Sequence, residues 1–531
     1  MKKAAIILLS ILFLFLSCKN AAGGKEKLPD AEAASTAHLK NSPHQIDTSS
    51  LTNEPEAIAD FYQGNGFKTV WTEEADRKAL HRAIQDANND GLTPTEYNIT
   101  ALLEFENNKN ITEEGCAAYD ILLTKSFRKL ATHLHKGKLK PYNVHYDWAL
   151  PGKSINANKL LTTALDKHSV TETLDKCRPG SKMYAGLRKS MKFLNSLPDD
   201  DSYNGLPNNT NIKLNDSTAI VSIIKERLAY WKDLDTAYAK GNVFDRNTLR
   251  AVKRFQKRHG IYPDGVVRSI TVKALNISLE KRKQQIVANL ERWRWFAEDF
   301  GPKAFVINIP EFQMAVVENG HDTIQMYKVV VGKPGRRTPV LHSVMKNIVL
   351  NPTWTVPPTI LKEDLTPSAS GDRSYFANHN MKIYRHNDTI ETSAEDWDPE
   401  KANHYRYVQG PGSGNALGQV KFNFKNSFSV YLHDTNHKEL FGRGYRALSS
   451  GCVRVQDPLK LAAYVLDKED AGWDKEKLDG TIAQGETKNV GLKKGTHVHQ
   501  LYWTAWMDEG GIQFRNDIYK LDKVLYKKLR Q

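Results

Sequence analysis

Cysteine is scarce in this sequence, and the few cysteines present do not form a metal-binding pattern. The 531 residues contain four, at Cys18, Cys116, Cys177 and Cys452. None of them has cysteine or histidine neighbours at the spacing of zinc ligands. We therefore predict no metal ion and no organic cofactor. In an oxidising compartment Cys116 and Cys177 could form a disulfide, and two buried thiols are the alternative.

The sequence also lacks a long apolar run. The N-terminal run, residues 4–16, is shorter than the roughly 20 residues that span a bilayer. Since Lys2 and Lys3 precede it, it has the form of an export signal. The following Phe15-Leu16-Ser17-Cys18 resembles a bacterial lipobox, which predicts cleavage before Cys18 and lipidation there, with an uncleaved anchor as the alternative. By the same resemblance, the absence of aspartate at position 19 favours the outer membrane.

Acidic residues are fewer than basic ones. The net charge is +14 and the isoelectric point is near 9.2, which favours an anionic partner. The chain has no zinc-finger spacing, no aromatic RNA-binding signature and no lysine-rich tail, so nucleic acid is not the predicted partner. A cell-wall polymer rich in carboxylates fits the charge.

The chain is too long for one hydrophobic core. After a signal segment at 1–18, residues 19–50 contain no aromatic residue, which is typical of a disordered tether. Helical periodicity predicts a scaffold over 51–205 and a three-helix module over 213–278. Strand-like runs predict a mainly β domain over 300–490, with a polar insertion at 361–404, and a hairpin and helix over 491–531. The predicted fold class is multidomain α+β.

One stretch carries a candidate for catalysis. Phe428, Val430 and Leu432 alternate with Ser429, Tyr431 and His433, which predicts a half-buried strand with Tyr431 and His433 on one face. Nineteen residues after His433, Cys452 follows Ser449, Ser450 and Gly451 in a loop of small residues, and a strand-like Val-Arg-Val comes next.

A thiol and an imidazole at these positions suggest nucleophilic chemistry. A thiol is weakly ionised at neutral pH, and a histidine base within hydrogen-bond reach generates the attacking thiolate. The backbone N–H groups of Gly451 and Cys452 could face an oxyanion, and the Tyr431 hydroxyl could add a third donor. The alternative is a small buried cysteine beside a structural histidine.

The block VYLHDT, then LF, then SxGCVRV resembles the signature of the L,D-transpeptidases. The resemblance implies that Cys452 is the nucleophile, that His433 is the general base and that Arg454 is the arginine beside the nucleophile. Many members have histidine where this chain has Ser450. His437 is the rival base, and its position in a polar turn favours a solvent-exposed side chain.

Other segments extend this resemblance. LRAVKRFQKRHGIYPDGVV resembles a peptidoglycan-binding domain, with Phe255-Gln256 and Asp264-Gly265 at the spacing of that family. The alternative is that its basic residues only keep the helix soluble. FYQGNGFKTVW and DGLTPTEY resemble the helical region of the long, multidomain L,D-transpeptidases, in which the insertion at 361–404 would cap the cleft.

The resemblance implies a lipid-anchored periplasmic L,D-transpeptidase that is inhibited by carbapenems and remodels peptidoglycan. Cys452 would form a thioester with a tetrapeptide stem, D-alanine would leave, and an amine of another stem would resolve the thioester to a 3-3 cross-link. Two alternatives stay open, an L,D-carboxypeptidase that uses water and a non-catalytic wall-binding scaffold. We expect a monomer whose partners are peptidoglycan and the membrane.

Overall fold

The computed structural model describes residues 43–296, 299–386, 388–469 and 472–531. The signal segment and Cys18 lie outside the described residues, as does most of the tether. The packed structure begins earlier than the sequence predicts, because Ile46 and Leu51 are buried and Gln45 pairs with Lys68 as an isolated β-bridge. Residues 44–50, assigned to the tether from the sequence, therefore belong to the folded body.

The N-terminal region is helical, as predicted. Its longest helix is Glu113–Lys136, which begins where the Thr112 side chain accepts a hydrogen bond from the Gly115 N–H and ends at Gly137, where φ is +83°. Whereas the helix at 182–196 packs into the larger core that continues into the rest of the protein, six of the region's eight helices, those within 56–136 and 157–177, form one apolar core. Cys177 is buried in that core as a thiol that donates to the Thr173 carbonyl, so no disulfide joins it to Cys116. The helices, with one short strand β1 (Trp148–Ala149), are α1 (Glu56–Gly64), α2 (Glu74–Asp86), α3 (Ile99–Asn107), α4 (Glu113–Lys136), α5 (Pro141–Val144), α6 (Ala157–Asp166), α7 (Val170–Cys177) and α8 (Lys182–Ser196).

The next module contains the three predicted helices, α9 (Ala219–Tyr230), α10 (Arg246–Arg258) and α11 (Ser269–Leu275). Asp245 caps α10, since its side chain accepts a hydrogen bond from the Thr248 N–H. The buried face of α9 is formed by residues 221, 224 and 228, so Val221 is buried while Ile223 is 37% exposed.

Helix α12 (Leu279–Trp295) connects the helical region to the β domain and is buried along most of its length. Two charged side chains on it, Glu291 and Arg294, form an ion pair that is fully excluded from solvent. Arg294 also donates to the Asp90 carbonyl, and Glu291 accepts from the Leu139 N–H. These bonds satisfy buried charges and fix the helical scaffold against α12.

The β domain is built on a sheet whose pairing closes on itself. From β5 the order runs β10, β11, β13, β4, β3, β2 and β14, and β14 pairs again with β5. Residues 491–501 therefore belong to this sheet, whereas the sequence places them in the C-terminal extension. The strands are β2 (Lys303–Asn308), β3 (Gln313–Glu318), β4 (Asp322–Gly332), β5 (Val340–Leu350), β10 (Val420–Phe424), β11 (Leu432–His433), β12 (Ala447–Ser449), β13 (Val453–Val455) and β14 (Lys488–Leu501).

The insertion forms a separate small body over 354–409, wider than the predicted 361–404. Four strands make its sheet, in the order β6, β9, β7, β8, and they cover a core of their own around Trp397, Phe376 and Tyr407. Its elements are β6 (Trp354–Thr355), α13 (Pro358–Ile360), α14 (Thr366–Gly371), α15 (Ser374–Asn378), β7 (Met381–Arg385), β8 (Glu391–Thr392) and β9 (Tyr405–Gln409).

The C-terminal part completes the fold with helices α16 (Pro458–Lys468), α17 (Lys475–Gln484) and α18 (Leu521–Leu529), and with the hairpin of β15 (Ala505–Asp508) and β16 (Gly511–Phe514). Asp457 is the N-cap residue of α16, its backbone is left-handed, with φ at +48°, and its side chain makes no capping bond. Within the described ranges, no helix is both long and apolar enough for a membrane span.

Candidate active site

Three neighbouring strands place the predicted site residues in one row. Strand β11 pairs with β10 so that His433 lies opposite Lys421, and pairs with β13 so that His433 lies beside Arg454. Strand β11 is only two residues long, shorter than the strand predicted from Phe428, because Ser429 is left-handed with φ at +55°. Tyr431 and His433 nevertheless lie close together, with ring centroids 5.5 Å apart.

Cys452 lies two residues before Arg454, next to Tyr431 on the neighbouring segment. The Val453 N–H donates to the Tyr431 carbonyl at 3.1 Å, which fixes this register. The parallel register sets Leu432 beside Val453 and His433 beside Arg454. Because side chains alternate along a strand, Cys452 and His433 lie on the same face of adjacent segments, as diagonal neighbours.

The loop that carries Cys452 is held by short hydrogen bonds on both sides. Gly451 has φ at +115°, a conformation that favours glycine, and an added Cβ would lie 3.4 Å from the Arg337 carbonyl. Its carbonyl accepts from Thr338 Oγ1 at 2.8 Å, and the Ser449 hydroxyl donates to the Cys452 carbonyl at 2.6 Å. Thr338 and Gly332, in turn, are both hydrogen-bonded to the Tyr519 hydroxyl near the C-terminus.

Opposing effects act on the Cys452 thiol. Burial raises the pKa of Cys452, while hydrogen bonds from Tyr431 and the positive charges of Lys421 and Arg454 act to lower it. Because burial dominates, the resting thiol is protonated at neutral pH. The surrounding donors and cations favour the thiolate once a base removes the proton.

His433 is buried and neutral. Burial, followed by the Arg454 charge, lowers the pKa of His433 to about 3, against the opposing effect of the Asp434 backbone. Its Nδ1 is buried and has no hydrogen-bond partner among the residues that the structure describes. A neutral imidazole is the form that accepts a proton.

The predicted oxyanion donors differ in availability. The Gly451 N–H already donates to the Ser449 hydroxyl at 3.2 Å, because the left-handed glycine turns that group back into its own loop. The Cys452 N–H and the Tyr431 hydroxyl remain as candidates. Burial raises the pKa of Tyr431 well above its usual range, so the phenol keeps its proton and can donate it in a hydrogen bond.

Ser450 is exposed and links the nucleophile loop to the insertion. Arg336 donates to the Ser450 hydroxyl at 2.8 Å and forms ion pairs with Glu363 and Asp364 at the start of the insertion. Arg454 is half-buried, and its Nε has no hydrogen-bond partner in the described part of the chain. His437 is exposed, as its polar turn predicts, and its Nδ1 lies 3.3 Å from Glu439.

Sequence reasoning missed three residues of this site. Lys421 is partly buried, with its Nζ 4.1 Å from the centroid of the Tyr431 ring, and its charge acts on Cys452. Trp354, on β6 of the insertion, forms a side-chain hydrogen bond with Tyr431. Arg336 makes the link described above. Along β10, Lys421 alternates with the buried Phe422 and Phe424, so its side chain lies on the other face of the strand from theirs. Only the register of β10 with β11 shows that this face is the one that carries His433.

A half-buried thiol, a neutral histidine and nearby hydrogen-bond donors are the arrangement of enzymes that use a cysteine nucleophile. Comparisons with known proteins identify the class more closely. Residues 302–496 match a family described as "L,D-transpeptidase catalytic domain", residues 217–275 match "Putative peptidoglycan binding domain", and residues 56–191 match "Scaffold domain". Residues 302–496 therefore form an L,D-transpeptidase catalytic domain, accompanied by scaffold and peptidoglycan-binding domains, and this catalytic domain indicates an enzyme.

Three individual proteins are similar to parts of this chain. A Haemophilus influenzae protein described as "Putative L,D-transpeptidase" is 36% identical over 242 residues, which are 45% of this chain and 48% of that protein. The match thus spans about half the length of that relative. The structure of an L,D-transpeptidase from Stackebrandtia nassauensis is 14% identical, with a TM-score of 0.20, and covers 56% of this chain and 97% of that one. One from Xylanimonas cellulosilytica is 15% identical, with a TM-score of 0.17, and covers 56% and 100%.

Proposed function

We propose that this protein is an L,D-transpeptidase that forms 3-3 cross-links in peptidoglycan. The observation that carries the proposal is the position of Cys452, diagonal to the neutral His433 within an L,D-transpeptidase catalytic domain. The donor is a tetrapeptide stem, whose last bond joins a diamino acid to a terminal D-alanine. The separate module at 217–275 supports peptidoglycan as the partner of the whole chain.

In the first half-reaction His433 takes the thiol proton, and the Cys452 sulfur attacks the carbonyl carbon of that last bond. The negative charge that develops on the oxygen is stabilised by hydrogen bonds, for which the Cys452 N–H and the Tyr431 hydroxyl are the candidates. The carbon–nitrogen bond breaks, and His433 returns its proton to the departing D-alanine amine. A thioester remains on Cys452.

In the second half-reaction an amine of another stem attacks the thioester carbonyl. His433 accepts a proton from this amine, the carbon–sulfur bond breaks, and the thiolate regains a proton. The new amide is the cross-link. Water in place of the amine would yield a trimmed stem, so the same site supports hydrolysis as the alternative outcome.

Incubation of a soluble form starting at Pro43 with purified disaccharide-tetrapeptide tests this proposal. Mass spectrometry should detect free D-alanine, a thioester on the peptide that contains Cys452, and cross-linked dimers. Cys452→Ala should abolish all three, while Cys116→Ala should retain them. Trimmed monomers without dimers would identify a carboxypeptidase, and the absence of an acyl-enzyme would favour a non-catalytic scaffold.

We further propose that the chain is anchored in a periplasm-facing membrane, with the outer membrane favoured, through a lipid on Cys18. Support comes from the lipobox-like sequence that ends at Cys18. Cys18→Ala should remain uncleaved or leave the membrane fraction, as judged by cell fractionation and the mass of the mature N-terminus. Normal processing and unchanged fractionation of this variant would exclude the anchor.

A further inference from the structure

Three histidines meet on one face of the closed sheet, away from the thiol. His342 lies on β5, and His499 pairs directly with it from β14, while His497 is two residues before His499 and so faces the same side. One ring nitrogen from each residue lies within 4.8 Å of the others, which makes this set a candidate metal-ion group among the described residues. The spacing of the three histidines in the sequence does not reveal this cluster, because β14 is far from β5 along the chain.

The nitrogen positions suit a metal ion of ordinary dimensions. His342 Nε2 and His497 Nδ1 are 3.1 Å apart and share a hydrogen bond, which an ion bound between them would replace. Zinc–nitrogen bonds of about 2.0–2.1 Å in a tetrahedron separate two ligand nitrogens by roughly 3.3 Å. The third nitrogen lies within 4.8 Å of the other two, so a side-chain rotation would bring it to the same distance.

The histidines also have the surroundings that metal ligands have. His499 is buried, and its Nε2 donates to the Phe300 carbonyl at 2.9 Å, which leaves Nδ1 with the free lone pair. A backbone carbonyl that accepts the second ring N–H is the usual support of a ligating histidine. His497 packs on Gly301, where a Cβ would lie 2.8 Å from the ring, so the missing side chain makes room for it.

Exposure decreases from His342, which is exposed, through His497 to His499, which is buried. An ion held here would therefore be enclosed by protein on one side and open to solvent on the other, where water can complete its coordination. Seven residues separate His342 from Val349, the β5 residue opposite Lys421, which is about 23 Å along the strand. The cluster is thus remote from the proposed catalytic site.

We propose that His342, His497 and His499 bind one divalent ion of the zinc type, with water as the fourth ligand. Imidazole suits zinc, copper and nickel, whereas magnesium and calcium prefer oxygen ligands. The ion joins β5 to β14, the pair that closes the sheet, so its role is to fasten this closure. The thiol chemistry does not depend on it.

The test measures Zn²⁺ binding by the full chain carrying Cys18→Ala and Cys452→Ala, which removes the anchor and the reactive thiol. Competition with a chromogenic chelator should give one Zn²⁺ per chain with micromolar or tighter affinity. His342→Ala and His497→Ala should each weaken it at least tenfold, on the scale known for perturbed metal sites. His321→Ala, which removes an exposed histidine elsewhere, is the matched control and should bind normally.

Two further readouts keep the result interpretable. With Co²⁺ as probe, the visible spectrum should be that of nitrogen and oxygen ligands, without a thiolate-to-metal charge-transfer band. Zn²⁺ should raise the thermal midpoint of the parent chain but not that of His342→Ala, whose midpoint without metal should equal that of the parent. Zn²⁺ affinity unchanged by His342→Ala, a thiolate band, or no saturable binding would each overturn the proposal.

Discussion

The proposed role of His433 as a buried neutral base predicts a distinctive pH profile for the acylation of Cys452. An ordinary histidine with a pKa near 6.5 is half neutral at pH 6.5 and about 3% neutral at pH 5, so a reaction that needs it neutral would slow about sixteenfold. The pKa of His433 is lowered to about 3 by burial and the Arg454 charge. At pH 5 nearly all of it is neutral, and acylation of Cys452 should keep its rate.

The assay is single-turnover acylation of Cys452 by a carbapenem at subsaturating concentration, followed by mass spectrometry between pH 5 and 10. The wild-type rate should be flat from pH 6.5 to 5. His433→Ala should lower the rate at pH 7 by about 10²–10⁴-fold, the usual contribution of a general base. Since burial raises the pKa of Cys452, this variant should still be gaining rate above pH 9.

Controls separate the base from other acid-sensitive groups. His437→Ala should retain the wild-type profile, because its side chain is exposed. Circular dichroism at each pH should show that the fold is intact. If the acylation rate of the wild-type chain fell on acidification with a midpoint near pH 6 to 6.5, the argument that burial keeps His433 neutral would be refuted.

Two further predictions concern the surroundings of the site, and a third concerns buried histidines in the helical region. Lys421→Met should slow acylation at pH 7 on the order of tenfold, because the thiolate loses a nearby cation, whereas Lys425→Met, at an exposed position, should not. Arg336→Gln should increase hydrogen exchange at 361–371 and raise KM for the donor stem, whereas Lys382→Gln should do neither; equal exchange in both variants would show that the link is not stabilising. Burial lowers the pKa of His81 to about 4 and that of His145 to about 3 in the folded chain, below the value near 6.5 of an unfolded chain. The two neutral histidines therefore contribute their full stability to the fold above pH 6.5, and that contribution is lost as the pH falls toward 4 and 3. The thermal midpoint should fall between pH 6.5 and 4.5, and less so in His81→Gln; a flat midpoint would contradict this.

The sequence was most informative where chemistry depends on residues close together in the chain. The alternation around Tyr431 and His433, and the small-residue loop before Cys452, suffice to predict which side chains share the site. The helical and β regions likewise follow from periodicity. The oxyanion assignment of Gly451 failed because its N–H bonds within the loop, a detail of one dihedral angle that residue identity alone does not determine.

Features that depend on long-range pairing could not be read from the sequence. Lys421 faces the thiol only because β10 pairs with β11 in one particular register. The sequence predicts that the β domain ends at residue 490, which is too early. Strand β14 extends to Leu501 and joins the sheet between β5 and β2, both of which are far from it in the sequence. Burial of Ile46 and Leu51, likewise, depends on helices that come later in the chain.

The hydroxyl of Tyr519 bonds to Gly332 and Thr338, the residues that hold the loop of Cys452, although Tyr519 lies 67 positions after Cys452 in the chain. Ribosomes make proteins from the N-terminus, so Cys452 is synthesised before the side chain that steadies its loop. The Cys452 thiol consequently cannot adopt its supported geometry until synthesis has passed Tyr519. Premature termination near residue 515 would yield a chain with every residue of the candidate site and no firm support for the nucleophile.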